Sequence, residues 1–566
     1  MNKLAIIIAI SILSLGVKAQ TLLNIPDTLS GNNFILNMHK DSVQFFPGKK
    51  SQTYAYNSNN YLGPTLIFNK GEQVNISVHN QINDTTTVHW HGIHLPSKWD
   101  GGPHTPILPG NSWHPTFTVL DNAATYWYHP HLHMKTAEQA IKGAAGLIIV
   151  RDPIETSLNL PRRYGIDDLP IIVQSQEYDN QNQAMPLGMQ DSTILVNGKR
   201  ANYGFSVFAN CPAQIVRMRI LNASGERTFN FGLSGNKHFK VIANDGGLLN
   251  NPVDVTRIRL APGERIEILV DFNGMIGQSI YLMSYASELP MGIQGGPTMP
   301  MPNGPPMNSP LNGIDFNILR INVISQTNNP VTTIPSSLTV NNVYDQSLAS
   351  ITRTIRFTAD SAMVMDGPFY FNDSTFNMDR IDYTIPINSI EKWKLVNETM
   401  VAHPFHIHDV QFYLLDRNGT PPSAEESGRK DVILIPPGDS AIFITKFEDF
   451  IDTIIPYMYH CHILMHEDAG MMGQFLVVPE NFSGISDHLK FLKTLRIFPN
   501  PSSESINIDF NESYFDYRIV DLTGKVIQIE NGIQNKNINI SKLNSGFYSI
   551  IIKSKDEYYS GRFIKN

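Results

Sequence analysis

The chain has 566 residues, with 43 Lys and Arg against 51 Asp and Glu, a formal net charge of −8 and only 17% charged residues. That length is too great for one core and suits three or four domains, and the charge balance excludes a basic nucleic-acid surface. Two cysteines, Cys211 and Cys461, exclude a disulfide framework.

At the N-terminus Lys3 precedes an apolar run from Leu4 to Leu15, and Val17-Lys18-Ala19 resembles a cleavage site. This reads as a secretory signal peptide over residues 1–19. Its apolar run is short for a membrane span, so export is expected, with no transmembrane segment.

Three later segments alternate apolar and polar residues and end near an asparagine: Gly71–Asn80, Ala213–Asn222 and Ser389–Asn397. Each is followed by a Pro-Gly turn, at Pro109-Gly110, Pro262-Gly263 and Pro437-Gly438. Period-2 strands with turn signals and no long helical pattern predict a repeated β-sandwich. Cys211 falls near the start of the second repeat and reads as a small buried hydrophobe.

Histidines cluster on this frame. His89-Trp90-His91-Gly92 and His129-Pro130-His131 follow the first repeat, and His403-Pro404-Phe405-His406-Ile407-His408 follows the third. The spacing of His89/His91, His129/His131 and His406/His408 puts both rings of each pair on one face of a strand. His403 lies three residues before His406, so it can turn to a different metal. Between repeats two and three, residues 291–310 are rich in Gly and Pro and carry Met291, Met299, Met301 and Met307. Two readings stand open there: a surface loop, or a soft thioether patch for Cu(I).

The last cluster, His460-Cys461-His462-Ile463-Leu464-Met465-His466 followed by Met471, is the densest. On a strand, Cys461 faces one side and His460 and His462 the other, so one stretch of backbone serves two metal sites. Cys461 is then a covalent lead between them, with neighbouring Cα atoms about 3.8 Å apart. A thiolate, two imidazoles and a weak axial thioether make a blue copper site. Cys461, His466 and Met471 supply three of those four groups. Zinc competes for His/Cys sites, but it explains neither the excess of histidine nor the Cys-x4-His-x4-Met spacing.

Repeats one and three share a frame. Tyr126-Trp-Tyr-His-Pro-His131 matches Tyr457-Met-Tyr-His-Cys-His462, with Pro130 where Cys461 stands and Ala144 where Met471 stands. Repeat two has neither set and ends in Ile280–Tyr285. The histidine sets therefore fall in repeats one and three, with domain two as a spacer between those domains. After Glu480, Ile497-Phe-Pro-Asn-Pro501, Asp521-Leu-Thr-Gly-Lys525 and Leu543-Asn-Ser-Gly-Phe-Tyr548 predict a further small set of strands and turns.

The four clusters resemble the signature of the multicopper oxidases, in the family's order and from about Leu62 to Pro479. The likeness is strongest to laccases and bacterial cuprous oxidases with an axial methionine. The resemblance implies an all-β chain: three cupredoxin-like β-sandwich domains at 20–155, 156–330 and 331–480. A linker at 481–490 leads to a small C-terminal β-sandwich at 491–566 that resembles a type IX secretion sorting domain. An ordinary adhesive sandwich is the other reading of that tail.

The resemblance also implies four copper ions. His403, Cys461, His466 and Met471 stand at the type 1 positions, and His89 and His406 at the type 2 positions. His91, His129, His131, His408, His460 and His462 stand at those of the type 3 pair. Asp100 and Glu467 match acidic positions that serve proton delivery; the other reading makes them acceptors that orient a ligand. Cuprous oxidases place an Asp and a Met four and two residues before the first type 1 histidine, where this chain has Thr399 and Val401. The expected reaction is one-electron oxidation of a donor coupled to four-electron reduction of O2 to water. The donor stays open between a phenolic or aromatic compound and a metal ion. A copper-binding or copper-resistance protein, with cuprous oxidase activity or little turnover, is the alternative. The expected partners are O2, a small reducing substrate and the type IX machinery, and the expected location is the periplasm, then the cell surface or medium.

Overall fold

The computed structural model describes residues 19–566 apart from 187–189, 203–204, 299–308, 362–363, 365–366, 481, 483–492, 511, 522–525 and 555–556. The apolar run of the signal peptide, Met299, Met301, Met307, nearly all of the linker and most of Asp521–Lys525 lie outside the described residues. The chain forms two compact units. One holds the chain up to Thr375 with Ser389–Lys446 and Tyr457–Gly473; the other holds Phe376–Asn388, Phe447–Pro456 and Gln474–Asn566.

The three alternating segments are strands in the first unit: Gln73–Asn80, Ile215–Asn222 and Ile390–Asn397. In Gln73–Asn80 the apolar side chains Val74, Ile76 and Val78 point inward and are fully covered. Each such side chain contributes about 1.5–3 kcal/mol of burial free energy. Each strand pairs in parallel with an earlier one, respectively Asn33–Val43, Asp168–Tyr178 and Ile351–Ala359.

The asparagine that closes each repeat has a structural job. Its side-chain amide donates to carbonyls on both sides of the loop: Asn80 to Asp84 and Ile107, Asn222 to Arg227 and Leu260, Asn397 to Val401, Ile435 and Pro436. Its side-chain oxygen accepts from the peptide N–H two residues on. Its carbonyl accepts from the glycine of the Pro-Gly turn, at 2.9 Å from Gly110, 2.9 Å from Gly263 and 3.0 Å from Gly438. Those glycines sit at φ of +77°, +86° and +72°, where a side chain is strained. Strand, following loop and next strand are thus tied at one residue.

In domain one a sheet ordered Thr28–Ser30, Thr65–Asn69, Gly146–Arg151, Ala124–His129, His89–His91 faces a second sheet built on Asn33–Val43 and Gln73–Asn80. Phe34, Phe68, Trp90, Tyr128 and Ile148 fill the space between. Domain two has a six-stranded and an eight-stranded sheet. Its core takes in Cys211, which lies near the end of strand Phe205–Pro212 rather than at the start of one. The first described strand, Ala19–Leu22, pairs with Phe205–Pro212. Those residues therefore complete a sheet of domain two, not of domain one as the sequence boundary placed them. In domain three, Ile390–Asn397 lies inside a five-stranded sheet with Ile351–Ala359 and Ser440–Lys446.

The second unit carries the tail. A five-stranded sheet and a three-stranded sheet enclose Ile506, Ile508, Phe515, Ile519, Ile538, Ile550 and Ile552. Among the described residues no helix is long and apolar enough to cross a membrane.

Domain two also buries charge. Arg217 donates to Glu155 at 2.6 Å and to Glu267 at 2.9 Å, and Arg219 donates to Asp168 at 2.7 Å. All five side chains are essentially unexposed. Removing one member of such a set leaves an uncompensated buried charge. Arg217→Ala should therefore cost about 3–5 kcal/mol, read as a lowered guanidinium midpoint. A wild-type midpoint would show the pairing to be dispensable.

Candidate metal centres

Two antiparallel strand pairs carry the histidines. In domain one, β1 (His89–His91) pairs with β2 (Ala124–His129), setting His89 opposite His129. In domain three, β3 (His403–Ile407) pairs with β4 (Tyr457–Cys461), setting His406 opposite His460. All ten clustered histidines except His466 are fully buried; His466 is partly exposed.

The six histidines assigned to a pair of ions divide into two trios, each drawing on both domains. His91 Nδ1 lies 3.3 Å from His129 Nε2 and 3.3 Å from His462 Nε2. His131 Nε2 lies 3.1 Å from both His408 Nε2 and His460 Nε2. His89 stacks on His408 and His91 on His406, with ring centroids 3.8 Å apart in both cases. The Nε2 atoms of His89 and His406 are buried and have no hydrogen-bond partner among the described residues.

The outer ring nitrogens explain why the inner ones carry no proton. His89 Nδ1 meets Asp100 O at 2.9 Å, His129 Nδ1 meets Pro130 O at 2.8 Å, and His406 Nδ1 meets Asp431 O at 2.8 Å. His460 Nδ1 meets Cys461 O at 3.0 Å, and His408 Nδ1 meets Asp100 Oδ2 at 2.8 Å. His91 is reversed: its Nε2 meets Asp431 Oδ1 at 3.1 Å, so Nδ1 faces inward. Carbonyl and carboxylate oxygens only accept, so each outer nitrogen is the donor and each inner nitrogen a bare lone pair. The bare lone pairs of His91 Nδ1 and His129 Nε2 face each other across 3.3 Å and cannot hydrogen-bond. They fit a cation that binds imidazole, and copper is one.

The second set surrounds Cys461. Its Sγ lies 3.5 Å from His403 Nδ1 and 3.6 Å from His466 Nδ1. Met471 is buried beside them; its peptide N–H donates to His466 O and its carbonyl accepts from the Cys461 peptide N–H. Burial pushes the Cys461 thiol up and drives the His466 imidazole down to about 3. Both shifts favour neutral groups until a metal cation replaces the thiol proton. His403 offers no ring edge to solvent as a point of electron entry. It is fully covered, and its Nε2 is hydrogen-bonded to Thr399 Oγ1 at 2.9 Å. His466 is the one residue of this set that is partly exposed.

The two acidic residues are both buried, with opposite tendencies. Burial raises the Asp100 carboxyl, but His408 and His89 outweigh it and hold the group well below the usual carboxylate range. Glu467 is raised well above that range by burial and by Asp468. It lies 3.2 Å from His460 Nδ1 and 3.4 Å from His131 Nδ1. Sequence reasoning missed Asp431 and Arg265, and the bond of Thr399 to His403. One signal was available: arginines and glutamates at i, i+2 spacing inside otherwise apolar strands, as in Arg265-Ile-Glu267.

Three family models described as Multicopper oxidase match residues 37–155, 171–296 and 347–481. The "Multicopper oxidase mco" of Staphylococcus haemolyticus is 33% identical over 454 residues, covering 79% of this chain and 88% of that relative. The chain belongs to the multicopper oxidase family. "Cell division protein FtsP" of Sodalis glossinidius is 30% identical over 460 residues, covering 80% of this chain and 90% of that relative. Among solved structures, a laccase-like multicopper oxidase, CueO, from Ochrobactrum sp. is 32% identical with a TM-score of 0.69, covering 81% of this chain and all of that one. The fold is thus that of cupredoxin-type multicopper oxidases, and the family implies an oxidoreductase that binds copper. A model described as Secretion system C-terminal sorting domain matches residues 496–566, which implies export.

Burial also pushes the Cys211 thiol up to about 12. Labelling requires thiolate and access, and both thiols are raised and covered. The metal-free protein at pH 8 should therefore leave both unlabelled by a thiol reagent and release two on unfolding in guanidinium. A fast-labelling native thiol would show that the Cys461 site is open.

Proposed function

We propose that the protein is a secreted laccase-like oxidase that takes single electrons from a small donor and delivers them to O2, forming water. The observation that carries this reading is the convergence of ring nitrogens from eight buried histidines beside a separate His403-Cys461-His466 set. On this reading His403, Cys461, His466 and Met471 hold the type 1 copper. His89 and His406 hold the type 2 copper. The trio His91, His129 and His462 and the trio His131, His408 and His460 hold the type 3 pair, making four ions. When bound, copper supplies one-electron acceptance at the first set and the electrons for four-electron reduction of O2 at the second.

The chain's own residues divide the remaining work. Cys461 turns its side chain to His403 and His466, while its sequence neighbours His460 and His462 each enter one trio. The partly exposed His466 is where a donor approaches. Asp100 holds the His408 Nδ1 proton and stays ionised; Glu467 keeps its own proton. Two carboxyl groups pushed apart in this way provide a proton acceptor and a proton source beside one cluster.

Thr399 and Val401 are both buried, where cuprous oxidases place Asp and Met. Their burial favours a phenolic or aromatic donor over dedicated Cu(I) oxidation. The tail is read as a type IX signal that takes the protein from the periplasm to the cell surface or medium. The deciding experiment is oxygen uptake by copper-loaded protein with a phenol, Cu(I), Fe(II) and bilirubin side by side. Full copper loading without uptake on any donor would leave a copper-holding protein instead.

Cys461→Ser should abolish the intense visible thiolate-to-copper absorption and nearly all oxygen uptake, while copper still loads into the histidine trios. A retained visible band would refute the type 1 assignment.

A protein ending at Glu480 keeps all twelve donor residues. It should bind copper and turn over as the full chain does, and in its native host it should stay in the periplasm. Loss of copper loading would make the tail part of the catalytic fold, and unchanged secretion would defeat the sorting assignment.

A further inference from the structure

Domain two supplies none of the twelve donor residues, yet one of its side chains reaches the histidine cluster. Arg265 follows the Pro262-Gly263 turn at the head of strand Arg265–Asp271 and is fully buried. Its guanidinium grips Asp431 of domain three as a two-pronged fork, Nη1 to Oδ1 at 2.5 Å and Nη2 to Oδ2 at 2.6 Å. The other donors are also used. Nε donates to Thr125 O at 3.0 Å, Nη1 to Gly263 O at 3.2 Å and Nη2 to Asp245 O at 3.0 Å. All five N–H groups of the side chain are therefore spoken for, which fixes its rotation.

Asp431 in turn sets two histidines. Its Oδ1 takes the His91 Nε2 proton at 3.1 Å, and its carbonyl takes the His406 Nδ1 proton at 2.8 Å. The pocket around the pair is closed. A Cβ on Gly92 would lie 2.4 Å from Asp431 Oδ2 and 2.7 Å from Arg265 Nη2. His91 presents Nδ1 inward, whereas His129 and His462 present Nε2. A neutral imidazole has one proton, and only an acceptor held opposite Nε2 keeps it there.

We propose that Arg265 is a positioning residue for the trinuclear histidine set: it locks Asp431 in the orientation that makes His91 offer Nδ1 rather than Nε2. Domain two thereby takes part in building the site instead of merely spacing its neighbours. The inference rests on the copper reading above. Lysine does not replace this arginine, because an ammonium is a point charge without the planar fork. Arg219 is the internal control. It is equally buried and also pairs with carboxylates, Asp168 and Glu267, but it makes no hydrogen bond to a ligand histidine or to Asp431.

The test is copper reconstitution of full-length wild type, Arg265→Gln, Arg265→Lys, Asp431→Asn and Arg219→Lys. It is read by the visible thiolate-to-copper band, by copper affinity, and by electron paramagnetic resonance of the histidine-bound copper. The three variants at 265 and 431 should keep the visible band at wild-type intensity. They should lose about tenfold to a hundredfold in copper affinity at the histidine cluster and show a changed resonance for it, while Arg219→Lys matches wild type. A wild-type resonance and affinity in Arg265→Lys and Arg265→Gln would overturn the proposal. So would the same change in Arg219→Lys, or loss of the visible band in parallel, since either marks a general folding effect. Wild type that binds no copper would sink the copper reading itself and is distinguishable from both.

Discussion

Everything near the histidines follows from one repulsion. Ring nitrogens stripped of their protons, His91 Nδ1 and His129 Nε2, face one another at 3.3 Å in an interior with almost no exposed surface. Left to themselves, such rings would turn to find donors, because a buried acceptor without a partner is costly. What stops them, in six of the eight rings, is the outer edge, bonded to a carbonyl or carboxylate fixed in a strand or tight loop. The cluster is preorganised by the parts of the protein that do not touch the metal. Binding a cation then relieves a strain already present, and the rings need little rearrangement to accept it.

That frame is the repeated sandwich, and its stiff point is the closing asparagine. Asn397 holds Val401 and Ile435, which brackets the approach to His403. Asn80 does the same work upstream of His89 by tying Asp84 to Ile107. Domain two keeps the lock at Asn222 but none of the ligands. It has filled the corresponding sheet with Arg217, Arg219, Arg265 and Glu267, which face domain one through Thr125 and domain three through Asp431. One repeat thus kept the corner and exchanged metal chemistry for buried charge.

The donor residues were legible because local spacing encodes them. Pairs two apart on a strand share a face, and His460-Cys461-His462 must split between two faces. The repeats were legible for the same reason, although the role of Asn80, Asn222 and Asn397 needed the carbonyls they reach. Partners distant in sequence were not legible. His91 and Asp431 lie 340 residues apart, and no spacing rule joins them. The division of six histidines into two trios and the reversal of His91 depend on the approach of two domains. The closure of His403 by Thr399 was hidden too: four residues apart, they meet only because the Asn397 lock folds that loop back.

The strand Ala19–Leu22 has a consequence for the timing of folding. It completes a sheet whose next member, Phe205–Pro212, arrives nearly two hundred residues later. The leading end of the chain therefore cannot dock while the first sandwich is being assembled behind it. Until then it is an unpaired edge, open to mispairing. Its insertion acts as a latch: this strand is tucked away only once Phe205–Pro212 is in place.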